Sequence, residues 1–124
     1  MKIRGYRQGQ SGGGCLVTIM DEAGEERVLP PAQIIQGQEF RHSPDGFQWG
    51  YNGSGPAELA RAILVAVIPD DDRARYPMCY QRFKQAWIAP IKVDEFEFDV
   101  KDVREWYEHW LVQNPDVVER GWRL

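Results

Sequence analysis

The first quarter of the chain is patterned as β-structure. Residues 2–7 can form a short strand, and Cys15-Leu16-Val17-Thr18-Ile19-Met20 is a β-branched run of strand length. Asp21-Glu22-Ala23-Gly24-Glu25-Glu26 then leads into a return run, Arg27-Val28-Leu29, and this succession predicts a hairpin. Pro30-Pro31 ends it, because proline has no N–H to donate to a ladder. Between the first two runs, residues 8–14 form a glycine-rich stretch expected to be a mobile loop. Residues 32–46 carry no clear period, and His42-Ser43-Pro44-Asp45-Gly46 is a turn by composition. Phe47-Gln48-Trp49-Gly50-Tyr51 alternates again, which predicts a strand with Trp49 and Tyr51 on one face.

Beyond Asn52-Gly53-Ser54-Gly55-Pro56 the pattern turns helical. Proline suits the first helical position, where its missing N–H would be unpaired anyway. Gly55 as cap would then place Glu58 near the positive end of the helix dipole. The body of this helix, residues 56–67, is apolar nearly all round, interrupted by Glu58 and Arg61, and should be the central buried one. A second helix is predicted over residues 77–89, with Cys79, Phe83, Ala86 and Trp87 inward and Gln81, Arg82 and Gln85 toward water. Phe96-Glu97-Phe98 alternates as an edge strand does. The last helix has Asp99 as cap, Phe98 and Val103 as a hydrophobic staple, and a stripe of Val103, Trp106, Tyr107, Trp110 and Leu111. Asn114-Pro115 ends it, leaving residues 115–124 as a tail. These elements predict a single α+β domain: a small antiparallel sheet packed by about three helices.

Composition narrows the function classes. A chain of 124 residues with 43% hydrophobic and 27% charged residues can form one core without staples. Its net charge of −4 argues against direct nucleic-acid binding, which needs a basic face. No stretch is long and apolar enough to span a bilayer, and residues 1–6 lack the apolar run of an export signal. Cys15 and Cys79 stand alone, with no metal-ligand spacing. A reducing cytoplasm, with no cofactor and no metal, is the expected setting.

Residues 46–60, Gly-Phe-Gln-Trp-Gly-Tyr-Asn-Gly-Ser-Gly-Pro-Ala-Glu-Leu-Ala, resemble the signature of a domain-of-unknown-function family. That family occurs in bacteria, archaea and their viruses and mobile elements. The preceding His42-Ser43-Pro44-Asp45 and the later Tyr80-Gln81-Arg82-Phe83-Lys84 fit the same pattern. The acidic connector at 69–76 and the extended carboxyl-terminal region depart from it. The resemblance implies a shared fold and a phage or mobile-element setting, and brings no catalytic assignment.

Two kinds of site compete. The turn before the buried helix offers backbone N–H groups at a helix start, and Trp49, Tyr51, Asn52, Gly53, Ser54, Gly55, Arg82 and Lys84 could hold a small anionic ligand or nucleotide there. The same glycines serve a purely structural reversal equally well. Ser54 lacks the Gly-x-Ser-x-Gly spacing of a hydrolase elbow, and neither His42 nor His109 is placed by pattern to act as its base. The other site is a protein interface built on Asp94, Glu95 and Glu97 with Trp87 and Trp122. On this reading the chain is a non-enzymatic binding protein, an anti-defence inhibitor of the anti-CRISPR kind in its sharpest form, whose partner is a host protein.

Overall fold

β1 (Lys2–Arg7) and β2 (Cys15–Met20) pair antiparallel, with Ile3 opposite Ile19 and Gly5 opposite Val17. β3 (Glu26–Val28) returns along β2. The hairpin turn is held by the Asp21 carboxylate, which accepts from the N–H groups of Ala23 and Glu25. This computed structural model describes residues 1–7, 15–30 and 47–116, together with the backbone of β4 (Ile34–Ile35) and β5 (Gln38–Glu39), a two-stranded pair. The predicted loop at 8–14 and turn at 42–46 lie outside the described residues, as does the tail from 117.

The fourth strand of the main sheet comes from the other end of the chain. β6 (Glu95–Asp99) lies antiparallel to β1, with Phe98 opposite Ile3 and Phe96 opposite Gly5, so the order is β3-β2-β1-β6. Residues opposite one another share a face. Ile3, Gly5, Val17, Ile19, Phe96 and Phe98 therefore look inward, and Lys2, Arg4, Tyr6, Leu16, Thr18, Glu95 and Glu97 look outward. The alternation at 96–98 is an edge strand, as its pattern predicts.

Helices supply the rest of the core. Every residue of α1 (Ser54–Val67) from 55 to 64 is buried. After it, Asp71 caps a 3-10 turn, Asp72–Arg75. α2 (Pro77–Phe83) runs on into a π-helical turn, Lys84–Ile88, closed by the Ala89 N–H on the Lys84 carbonyl at 2.8 Å. The helical stretch has the predicted extent, but its inner face differs beyond Phe83. An i→i+5 turn inserts one residue, so Ile88 follows Phe83 into the core and Ala86 is exposed. α3 (Val100–Gln113) starts at Asp99, whose carboxylate accepts from the Lys101 N–H, and packs against β6 and α1. The result is a small α+β fold, as the pattern predicts.

Five ring contacts run in a line beneath the sheet. Trp49 meets Phe96 edge-on at 4.9 Å, Phe96 meets Phe98 at 4.8 Å, and Phe98 meets Trp87 at 5.0 Å. Phe83 then joins Trp87 at 5.4 Å and Trp106 at 5.1 Å. Such pairs contribute about 0.5–1.5 kcal/mol each beyond area burial. They tie β6, the π-turn and α3 into one layer.

Candidate functional site

Residues 47–51 are not a strand. Gly50 takes a left-handed backbone with φ of +89°, and a Cβ there would stand 2.7 Å from the Ile91 carbonyl oxygen. Its N–H donates to the Ile88 carbonyl at 3.2 Å, and its own carbonyl accepts from Lys92 Nζ at 2.8 Å. This turn separates its neighbours: Trp49 is 1% exposed and Tyr51 49% exposed. Trp49 is a packing residue. Its indole N–H donates to the Val93 carbonyl at 2.9 Å, and the Arg7 guanidinium lies 4.9 Å over its ring while donating to its carbonyl at 3.0 Å.

The helix begins two residues earlier than the proline suggests. Gly53, in extended conformation, is the N-cap, Pro56 is third in the helix, and Glu58 lies a full turn in, 1% exposed and away from the helix start. Proline is accommodated because the first four N–H groups have no partner within the helix. The Tyr51 ring folds back over this turn. A Cβ on Gly53 would stand 2.5 Å from that ring, and one on Gly55 would meet the Gln48 side chain at 2.6 Å and the Tyr51 hydroxyl at 2.9 Å. The chain's own side chains thus require both glycines. Asn52 and Ser54 are exposed beside them.

Arg82 and Lys84 make no hydrogen bond, ion pair or ring contact with residues 51–55 among the described residues. Arg82 lines a groove of about 500 Å³ between α2 and α3 with Gln85, Trp106, His109 and Gln113. Among the described residues, the cations bonded to the turn are Arg7 and Lys92, both spent on its carbonyls. Sequence separations above 40 residues hid them from any local motif.

The acidic candidates sit along β6 and the bend before it. Asp94 accepts from Arg7 at 3.0 Å. Glu97 stands opposite Arg4 and binds both Arg4 (2.7 Å) and Lys2 (3.2 Å), which hold its carboxyl below the usual range. Glu95 is exposed opposite Tyr6 and has no ion pair among the described residues. Trp87 is partly buried between Phe83 and Phe98. Trp122 and His42 lie outside the described residues.

Two polar clusters escaped sequence reasoning. Glu58 and Arg61 are 1% and 4% exposed, and the Arg61 guanidinium is 5.9 Å from the Tyr80 ring. Burial raises the Tyr80 hydroxyl, with Glu58 adding to the rise and Arg61 opposing it. An opposite-charge pair three residues apart in an otherwise apolar helix was the available signal. The second cluster is Asp71, which accepts from Arg73 Nε and Nη2 at 2.8 and 2.7 Å and is held at about 2 by that guanidinium. Nearby, burial and then the Asp71 charge push the Cys79 thiol up to about 12. Among the described residues no group of three or more His, Cys, Asp or Glu side chains could hold a metal ion, and no helix is long and apolar enough to cross a membrane.

The outer face of the sheet is the remaining surface of note. Tyr6, Leu16 and Val28 form an apolar strip across it, with Val28 64% exposed. Thr18 beside them donates to Glu26. The strip floors a shallow groove of about 610 Å³ that Glu95 and Arg27 also line. A family model described as a family of unknown function, DUF6166, matches residues 4–109. No curated protein and no solved structure matches the chain.

Proposed function

We propose a protein-binding role for this chain, which belongs to DUF6166, a family of unknown function. It acts by contact with another protein and performs no catalysis. The outer sheet face carries this reading: an apolar strip of Tyr6, Leu16 and Val28 framed by Lys2, Arg4, Glu95 and Glu97, with no helix over it among the described residues. An apolar centre with a charged rim is the ordinary anatomy of an interface, and an exposed apolar patch of that kind marks a contact surface. The resemblance of residues 46–60 adds the setting, a phage or mobile element in a bacterial cytoplasm. There the expected partner is a host protein of the defence machinery, held in an inhibited state.

Native mass spectrometry of the tagged chain, purified from a bacterium carrying several defence systems, tests this. The expected result is one host protein at fixed stoichiometry, lost with Val28→Asp, a change at an exposed position that leaves the fold intact. A partner retained by Val28→Asp would move the interface off this face. A small molecule retained in place of a protein would overturn the reading in favour of a ligand at residues 51–55.

A further inference from the structure

We propose that the free edge of β6 is a strand-addition site for an extended basic segment, with Lys or Arg at every second position. The inference rests on the protein-binding reading and specifies how the partner is held. It starts from hydrogen-bond alternation. The Arg7 N–H donates to the Asp94 carbonyl at 2.8 Å and the Val100 N–H to the Met1 carbonyl at 3.0 Å, one pair beyond each end of the β1–β6 ladder. In an antiparallel ladder, hydrogen-bonded and non-bonded pairs alternate. Phe96 and Phe98 therefore face β1 with their backbone groups, and Glu95 and Glu97 turn theirs away from the sheet. No strand pairs with that side of β6 among the described residues. The edge thus offers two N–H and C=O sets at the spacing of a strand ladder.

The side chains select the occupant. Glu95, Glu97 and Asp99 are all exposed, and the first two project onto the outer sheet face. A strand added beside β6 would set its own outward residues about 5 Å from these carboxylates. Lys2 and Arg4 lie on the far side of β6, so an arriving strand meets the acids first. A second copy of this chain is the wrong occupant, because β6 against β6 in antiparallel register brings like charges together, which opposes pairing. A basic strand matches, and its alternate residues would lie on the inner face beside Phe96 and Phe98. Strand addition is an established mode of peptide capture, with backbone bonds providing affinity and side chains specificity.

The test uses the full chain and two synthetic peptides, Lys-Thr-Lys-Val-Lys-Thr-Lys and the same sequence with Glu for Lys, followed by residue-resolved amide exchange. In the free protein the Phe96 and Phe98 amides should exchange slowly and those of Glu95 and Glu97 fast. The basic peptide should bind saturably, protect the Glu95 and Glu97 amides, and weaken as salt is raised. Glu95→Pro removes an outward donor outside the β1 ladder, and Glu95→Lys reverses the charge. Each should weaken binding by roughly tenfold or more with an unchanged melting temperature. Equal binding of the acidic peptide, protection elsewhere, no binding, or dimerisation through β6 would each overturn the inference. A host partner that still binds Glu95→Pro would overturn the strand-addition mode and leave the protein-binding reading standing. Loss of the partner with Val28→Asp and Glu95→Pro alike supports both.

Discussion

The ring of Phe96 lies against the Cα of Gly5, so close that a Cβ at position 5 would overlap three ring atoms. The two residues face each other across the β1–β6 ladder, and the same ring meets Trp49 and Phe98. A missing side chain on one strand thus makes room for the aromatic layer on which the next strand rests. Glycine weakens a strand interior unless something approaches its backbone closely, and here Phe96 does.

Gly5→Ala should therefore destabilise the fold by about 2 kcal/mol, the usual cost of overpacking. Urea denaturation measures it. The cost should shrink in a Phe96→Leu background, because the smaller side chain clears the new methyl. Strict additivity of the two changes would refute the contact.

Gly50 and Gly24 provide a matched pair, with φ of +89° and +86°. A Cβ on Gly24 meets nothing within 4 Å, whereas one on Gly50 presses on the Ile91 carbonyl at 2.7 Å. Gly24→Ala should cost about 1 kcal/mol from backbone strain alone. Gly50→Ala should cost at least twice that, roughly 2–3 kcal/mol, since backbone cannot step aside as a side chain can. Thermal melts of the two variants side by side decide it.

Asp71 makes stability depend on acidity. Its carboxyl, ordinarily near 3.8, is held at about 2 by Arg73. A depressed folded-state value stabilises the protein above the unfolded one, and that contribution fades as pH falls from 4 through 2. Asp71→Asn keeps a capping oxygen and loses the charge. Its urea midpoint should lie below that of the parent at pH 7, by the equivalent of roughly 1–2 kcal/mol after solvent screening, and the two should converge near pH 2.

The two thiols should behave differently. Cys79 is fully buried, and its thiol is raised to about 12. Cys15 is half-buried, with its Sγ donating to the Gln48 side-chain oxygen at 3.4 Å. A Cys15→Ser variant should show no fast reaction with Ellman's reagent at pH 8 in its native state, and one reactive thiol in denaturant. A rapid native-state reaction would contradict the burial of Cys79.

Much of the fold was legible because its signals are local. The Asp99 cap, the stripe from Val103 to Trp110, the β-branched run of β2 and the apolar body of α1 each depend on neighbours within a few residues, where backbone geometry sets the period. The candidate site was less legible. Its glycine turn was found, but Arg82 and Lys84 were matched to it by charge alone, while Arg7 and Lys92 satisfy its carbonyls.

Sequence alone determined that β1, β2 and β6 are strands, that α1 is buried and that Asp99 starts α3, since period and capping act over one or two turns of backbone. Only the tertiary structure decided that β6 crosses the whole chain to pair with β1, that Gly50 breaks the alternation at 47–51, and that a π-turn passes the inner face from Phe83 to Ile88. Those outcomes depend on which surfaces meet. Phe96 must find Gly5, the Ile91 carbonyl must come up against Gly50, and Ile88 must reach the core one residue late. Contacts between residues tens of positions apart leave no period in the chain, so they are settled by packing.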